Sequence, residues 1–154
     1  MTYLVTGGTG LIGSRIVRDL VKEDEEVIIY DWIPDTSILK TLLTQDEILE
    51  RVKIISGDIT DLPLLINSIK KNNIDKIIHT ASLLVLDSNS NPLKALKVNC
   101  EGTICVFEAG KMEGVKKIVW SSSNSIFGPA EKYKEDFILN NAPHYPQNIY
   151  GATK

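Results

Sequence analysis

The sequence has few of the features that mark a secreted, membrane-bound or nucleic-acid-binding protein. No hydrophobic run is long enough to span a bilayer, and the N-terminus lacks the basic start and the apolar length of a signal peptide. Lysine and arginine number 17 against 20 acidic residues, the net charge is −3, and the basic residues form no stripe. We therefore expect a cytoplasmic protein with no nucleic-acid partner and no membrane partner.

Cysteine and histidine are also scarce, with two of each. Cys100 and Cys105 are five residues apart in a predicted helix, which turns them about 140° apart around the helix axis. We expect two small buried side chains rather than a disulfide. Because His79 and His144 are distant in sequence from both cysteines, we expect no metal site. At the end of a predicted strand, His79 is expected to make a structural hydrogen bond.

Short apolar runs alternate with helical stretches along the chain. The runs are rich in β-branched residues and apolar at their centres, which is typical of parallel strands buried on both faces. We therefore predict an α/β fold, a Rossmann-type doubly wound parallel sheet of five visible strands in three α/β/α layers. The predicted strands are residues 2–6, 26–31, 52–58, 75–81 and 116–123, and the predicted helices are 11–21, 36–50, 60–71 and 91–112.

Two details refine this prediction. Thr60 is the expected N-cap of the third helix, and Pro92 is expected to open the fourth as one continuous helix. Residues 124–148 read as a loop, in which 131–137 form a charged surface segment.

Four glycines follow the first strand in "YLVTGGTGLIGSRIV", and three of them, Gly7, Gly10 and Gly13, are separated by two residues each. In a strand-to-helix turn, Gly7 permits a tight turn, Gly10 lets the backbone approach a pyrophosphate, and Gly13 lets the helix pack on the strand. The helix N-terminus then presents unpaired N–H groups and a positive dipole end to the phosphates. A tight turn that serves packing alone is the alternative interpretation.

Asp31 ends the second predicted strand, 18 residues beyond Gly13. This is the interval expected for a carboxylate that accepts hydrogen bonds from an adenosine ribose. The same charge repels a 2′-phosphate, and Trp32 and Ile33 follow it rather than an arginine, so the pattern predicts NAD rather than NADP. A solvated aspartate at a strand end is the alternative.

Tyr150 and Lys154 are spaced so that a helix would place both on one face. A free tyrosine is a poor base at neutral pH, but an ammonium and a cationic nicotinamide nearby both favour the phenolate. Tyr150 is then predicted to exchange a proton with a substrate hydroxyl while a hydride moves to or from nicotinamide. Ser123 would hydrogen-bond the same oxygen, and Lys154 would also hold the nicotinamide ribose. A surface helix pair without catalysis is the alternative.

Six motifs in order, "TGGTGLIG", "GDIT", "HTAS", "VNCEGT", "SSSNSIFG" and "YGATK", span the chain. With them the sequence resembles the extended short-chain dehydrogenase/reductase family, the NAD-dependent nucleotide-sugar epimerases, dehydratases and their relatives. One mild departure is Ser82, where the family has alanine or glycine. The resemblance implies catalytic roles for Ser123, Tyr150 and Lys154. It implies cofactor-binding roles for Gly7, Gly10, Leu11, Ile12, Gly13, Asp31, Asp58, Ile59, Thr80, Ala81, Ser82, Asn99, Ser121, Tyr150 and Lys154.

Members of that family continue well beyond the Tyr-x-x-x-Lys motif. The resemblance therefore implies that residues 1–154 are an incomplete NAD-binding Rossmann domain, that the C-terminal substrate domain is absent, and that this chain alone is inactive. A homodimer of the full-length enzyme is the assembly it suggests.

The predicted function is that of a nucleotide-sugar epimerase or dehydratase acting on a small-molecule substrate, a nucleotide sugar or another hydroxy compound. One alternative is a short-chain L-threonine 3-dehydrogenase, which "SIFGP…YPQNIYGATK" resembles. The other is a non-catalytic NAD-binding regulatory module.

Overall fold

Five parallel strands form one sheet in the order β3-β2-β1-β4-β5. The computed structural model describes residues 1–133, 138 and 141–154, so much of the predicted charged segment 131–137 lies outside the described residues. The order is that of the Rossmann fold, and the predicted doubly wound sheet is confirmed. The strands are β1 (Thr2–Thr6), β2 (Glu26–Asp31), β3 (Val52–Ser56), β4 (Lys76–His79) and β5 (Lys117–Trp120).

Helices cover both faces of this sheet. The helix α1 (Leu11–Lys22) buries Val17 against Val5 of β1 in the main core cluster. Leu4 and its register partner Ile77 point to the opposite face, because neighbouring residues of a strand alternate between faces. On that face α4 (Leu62–Lys71) packs against α7 (Gly102–Met112). The result is the predicted three-layer arrangement.

Three strands, β3, β4 and β5, end earlier than predicted. β1 ends at Thr6, as predicted, because Gly7 turns away from the sheet with φ +66. The last partner of Thr6 is His79, and the last partner of His79 is Trp120, so β4 and β5 lose their ladder partners at the same level. Likewise β3 stops at Ser56, opposite the last residue of β2. Strand length is therefore set by the neighbouring strand, which the apolar run alone does not show.

The single helix predicted over 36–50 is wrong. The structure has α2 (Ser37–Leu42) and α3 (Gln45–Arg51), separated by Leu43 in an extended conformation with φ −132 and ψ 150. Thr44 starts α3 with a capping box, in which its side chain accepts from the Glu47 N–H and the Glu47 carboxylate accepts from the Thr44 N–H. This reciprocal cap stabilises a new helix start within a continuous amphipathic pattern.

The predicted cap of the third helix is also wrong. Asp61, not Thr60, caps α4 by accepting from the Leu64 N–H at 2.9 Å. Thr60 instead donates from its N–H and its hydroxyl to Asp58 Oδ1, at 2.9 and 2.8 Å. Pro63 lies in the first turn of α4, where proline is tolerated.

The long helix predicted over 91–112 is interrupted. Pro92 does open a helix, α6 (Pro92–Ala95), but a π-helical segment (Leu96–Glu101) follows before α7 begins. A short helix that the sequence pattern did not predict, α5 (Val85–Ser90), precedes it. The π-helical segment carries Asn99 inward, and segments of this kind often occur at functional sites.

The chain divides into two compact units. Unit 1 comprises Met1–Ala81 and Gly102–Trp120 and contains the whole sheet. Unit 2 comprises Ser82–Glu101 and Ser121–Lys154 and contains the last helix, α8 (Ile149–Ala152).

Some features that bear on function classes are read directly from the structure. Neither Cys100 nor Cys105 forms a disulfide, and both are partly buried. Within the described part of the chain, no helix is long and apolar enough to cross a membrane. The same residues contain no group of three or more histidine, cysteine or carboxylate side chains suited to a metal ion. Among the strands of the described residues β5 lies at one edge of the sheet, and its side chains Val119 and Trp120 are exposed to solvent.

Two leucines on helices provide a matched test of the core. Leu65 of α4 is 0% exposed, whereas Leu49 of α3 is 72% exposed. We expect Leu65→Ala to lower the free energy of unfolding by about 2–5 kcal/mol, because it removes buried methyl groups and leaves a cavity. Leu49→Ala should change it by less than about 0.5 kcal/mol. Urea unfolding measures both, and equal effects would contradict the assigned core.

Candidate functional site

The turn after β1 is built from glycines that leave no room for side chains. A Cβ atom at Gly7 would lie 2.8 Å from the Ala81 nitrogen, and the positive φ of Gly7 also disfavours any side chain. At Gly13 a Cβ atom would collide with the Gly7 carbonyl oxygen and lie 2.7 Å from the Gly8 Cα. The Gly10 N–H closes the turn on the Gly7 carbonyl at 3.1 Å. The predicted tight turn and close helix packing are therefore present.

The turn leads into an uncapped helix N-terminus. Gly10 is the N-cap of α1 and supplies no side-chain acceptor. In the part of the chain that the structure describes, the backbone N–H groups of Leu11, Ile12 and Gly13 have no acceptor. Leu11 and Ile12 are 62% and 63% exposed, so this end of the helix is accessible. Such an end is suited to an anionic group.

Asp31, the last residue of β2, is attached to this turn. Its Oδ2 atom accepts from the Thr9 N–H at 3.1 Å and from the Thr9 hydroxyl at 2.6 Å. Its Oδ1 atom accepts from none of the described residues. Sequence reasoning did not identify Thr9, and the only signal was a hydroxyl residue among the glycines of the turn.

The loop after β3 is arranged around the Asp58 backbone. The buried Tyr30 phenol donates to the Asp58 carbonyl at 2.9 Å. Burial, together with the nearby carboxylates of Asp61 and Asp58, raises the pKa of Tyr30 well above its usual value, so the phenol stays protonated as a donor. The Ile59 side chain is buried against Gly102 of α7. Its predicted role in binding the cofactor stays a prediction.

His79 makes the structural hydrogen bonds expected of it. Its Nδ1 atom lies 2.6 Å from the Thr6 hydroxyl, and its Nε2 atom lies 3.0 Å from the Thr103 hydroxyl. Thr80 adds a bond from its hydroxyl to the Thr6 carbonyl at 2.7 Å. These bonds join β1, β4 and α7 and fix the predicted cofactor residues Thr80 and Ala81 next to Gly7.

In unit 2, Asn99 holds the backbone that follows Ser82. Its Oδ1 atom accepts from the Leu83 N–H at 2.8 Å, and its Nδ2 atom donates to the Leu83 carbonyl at 3.2 Å. Nδ2 also donates to the Thr153 hydroxyl at 3.0 Å. The side chain is buried, so these partners satisfy an amide that water does not reach. Asn99 therefore supports this backbone, and its implied role in cofactor binding stays a prediction.

Tyr150 lies in α8 and Lys154 lies close to it; that both occupy one face of a helix stays a prediction. α8 ends at Ala152, and Thr153 leaves the helical conformation with φ −100 and ψ 2. Even so, the Lys154 Nζ atom lies 5.9 Å from the centre of the Tyr150 ring. Partial burial lowers the pKa of the Lys154 ammonium from its usual value.

Ser123 lies at the start of a 3₁₀ turn that packs on α8. Its Oγ atom accepts from the Ser125 N–H at 3.2 Å and so caps the turn Asn124–Ile126. A Cβ atom at Gly151 would collide with the Ser125 carbonyl oxygen, so the glycine next to Tyr150 allows this close approach. Ser121 and Ser82 are both partly buried.

Thr153 is a residue of this group that sequence reasoning missed. It is buried, its hydroxyl accepts from Asn99, and that hydroxyl donates to the Tyr150 carbonyl at 3.0 Å. It therefore connects the π-helical segment to the backbone of the Tyr-x-x-x-Lys motif. Its position in "YGATK" was the only sequence signal.

A parallel sheet in this strand order, with a glycine turn at β1 and a carboxylate at the end of β2, defines a dinucleotide-binding α/β protein. More specifically, the chain belongs to the NAD dependent epimerase/dehydratase family, whose model matches residues 3–154. The resemblance predicted from the motifs is thereby confirmed, as is NAD as the cofactor of the family.

Curated relatives include UDP-glucose 4-epimerases. That of Neisseria meningitidis serogroup C is 36% identical over an alignment of 159 residues, which covers 98% of this chain and 44% of the relative. That of Bacillus subtilis is 35% identical over 165 residues, which cover 100% of this chain and 45% of the relative. The chain thus spans less than half the length of these relatives.

Solved structures show the same similarity. UDP-glucose-4-epimerase from Stenotrophomonas maltophila, with bound NAD and formylated UDP-arabinopyranose, superposes with a TM-score of 0.87 at 29% identity. UDP-glucose 4-epimerase from Bifidobacterium longum, in complex with NAD+ and UDP, gives 0.85 at 31% identity. Each match covers 100% of this chain, and 45% and 46% of the respective structures.

The Thr153 hydroxyl gives a test of how unit 2 is held together. We expect Thr153→Val to lower the free energy of unfolding by about 1–3 kcal/mol, since it leaves a buried amide hydrogen of Asn99 without this acceptor. Thr153→Ser keeps the hydroxyl and should stay within about 0.5 kcal/mol of the wild type. Urea unfolding is the measurement, and equal stabilities of the two variants would show that the hydroxyl contributes nothing.

Proposed function

We propose that residues 1–154 form the NAD-binding domain of a nucleotide-sugar 4-epimerase. The observation that carries the proposal is the combination at the carboxyl ends of β1 and β2. There, an exposed helix N-terminus offers free N–H donors, and Asp31 is fixed on the same turn. Support comes from the relatives, which are UDP-glucose 4-epimerases.

The residues of unit 1 fit the phosphates and the adenosine of NAD. The free N–H groups of Leu11, Ile12 and Gly13 would bind the pyrophosphate, and Gly10 leaves the backbone accessible. Asp31 would accept hydrogen bonds from the adenosine ribose through its free oxygen. The remaining proposed cofactor-binding residues are Gly7, Asp58, Ile59, Thr80, Ala81, Ser82, Asn99, Ser121, Tyr150 and Lys154.

The residues of unit 2 would carry out the proton transfer of the reaction. NAD, when bound, would supply the hydride acceptor and donor for the sugar carbon. Tyr150, as the phenolate, takes the proton from the hydroxyl on that carbon, so that the carbinol becomes a ketone, and gives it back when the hydride returns. Addition of hydrogen to the opposite face of this ketone would invert the carbon. Ser123 would hydrogen-bond the same oxygen, and the Lys154 ammonium stabilises the phenolate.

The alternatives differ in what they predict for the cofactor. A dehydrogenase releases NADH into solution, whereas an epimerase recycles it in place, so stoichiometric NADH with L-threonine would favour the dehydrogenase. A regulatory module would not need Ser123, Tyr150 and Lys154, and this chain has all three. The relatives named above favour the epimerase. A homodimer of the full-length protein and a cytoplasmic location remain predictions.

Cofactor binding is tested by calorimetric titration of the 154-residue chain with NAD+ and NADP+. We expect saturable NAD+ binding and weaker NADP+ binding. Asp31→Ala should weaken NAD+ binding about tenfold, because a hydrogen bond to a charged group is lost. The exposed Asp46 of α3 provides the control, and Asp46→Ala should bind as the wild type does. Absence of binding to either nucleotide would contradict the cofactor assignment for this chain.

The proton-transfer role is tested in the full-length protein with UDP-glucose or UDP-galactose as substrate. Tyr150→Phe should lower kcat by about 10²–10⁴-fold, as expected for loss of a general acid–base group. It should leave NAD+ bound. Tyr3→Phe, which removes the phenol oxygen that accepts from Lys76, is the control and should keep kcat. Full turnover by Tyr150→Phe would assign the proton transfer to another residue.

A further inference from the structure

The glycine turn is attached to the end of β2 by three consecutive residues. The Gly7 N–H donates to the Tyr30 carbonyl at 2.9 Å, and Gly8 packs so closely on Ile29 that a Cβ atom there would lie 2.9 Å from its side chain. Thr9 completes the attachment with its two bonds to Asp31. The Asp31 carboxylate is thus part of the turn that precedes α1.

The Thr9 N–H and the Thr9 hydroxyl both donate to the same Asp31 oxygen, Oδ2. Thr9 is only 7% exposed, so its hydroxyl is shielded from water and held on Asp31 Oδ2. A carboxylate at a strand end without such partners samples several staggered rotamers. Two donors on Oδ2 select one rotamer and leave the lone pairs of Oδ1 available for other donors.

Orientation matters for the choice between two nucleotides. A carboxylate favours the diol of an adenosine ribose, which donates hydrogen bonds, and repels a 2′-phosphate at the same place. A carboxylate that rotates freely can turn away from the phosphate and relieve much of that repulsion. Discrimination therefore requires a group that keeps Asp31 in position.

We propose that Thr9 is a positioning residue for nucleotide selectivity, whose hydroxyl fixes the Asp31 carboxylate so that the site takes a 2′-hydroxyl nucleotide and rejects a 2′-phosphorylated one. The inference rests on the proposed function, since it assumes that Asp31 faces the adenosine ribose. Thr9 acts through Asp31 and requires no contact of its own with the nucleotide.

The test compares NAD+ and NADP+ affinities of the 154-residue chain by calorimetry. Thr9→Val keeps the shape of the side chain and removes the hydroxyl. It should lower the ratio of the NADP+ to the NAD+ dissociation constant about tenfold, the effect of one hydrogen bond to a charged group. Thr9→Ser restores the hydroxyl and should restore the ratio. Thr41→Val is the control, because Thr41 is exposed and its hydroxyl donates only to the Ile38 carbonyl of its own helix.

A double-mutant cycle separates positioning from a general structural role. In the Asp31→Ala background, Thr9→Val should leave the ratio unchanged, because the group on which Thr9 acts is gone. If Thr9 had a merely structural role, Thr9→Val would weaken the binding of NAD+ and NADP+ equally. The ratio of the two dissociation constants would then keep its wild-type value, which would overturn the proposal. If Thr9→Val loses its circular dichroism signal, Thr9→Ala replaces it with the same expected ratio.

The outcomes also separate the two proposals. A wild-type chain that binds neither nucleotide contradicts the proposed function. A wild-type chain that selects NAD+, together with a Thr9→Val chain of equal selectivity, overturns only the role of Thr9.

Discussion

The close approach of α1 to the end of β1 is the constraint on which the rest of the structure depends. Because Gly13 has no side chain, the first turn of α1 lies directly against the Gly7 carbonyl. This contact orients the helix so that its free N–H groups lie at the carboxyl edge of the central strand. The proposed phosphate contacts follow from it. A larger residue at Gly13 would disturb the core and the site together.

The parts of the fold that could be predicted from sequence are those set by local patterns. β1 and β2 have the predicted bounds because each apolar run ends at a turn residue or a charge. The splitting of 36–50 was missed because Leu43 continues the apolar pattern and is buried, although its backbone is extended. The π-helical segment could not be predicted, because Asn99 bonds to Leu83, which is 16 positions away.

The candidate site also contains residues that local sequence patterns predict and residues that they do not. The glycines and Asp31 follow fixed spacings along one βαβ unit, so they can be predicted from a local sequence motif. Thr9 and Thr153 do not, because their partners Asp31 and Asn99 are 22 and 54 positions distant. Both act on residues that were recognised, and neither carries a charge that would mark it. Residues that support a site are thus harder to predict from sequence than residues that form it.

The exposed edge at β5 has a consequence for work with this chain in solution. Apolar side chains that are exposed on an edge strand favour encounters with another molecule. Val119 and Trp120 provide such side chains here. Self-association through this edge would rise with protein concentration and with salt, so light scattering should accompany any measurement at the concentrations that calorimetry requires.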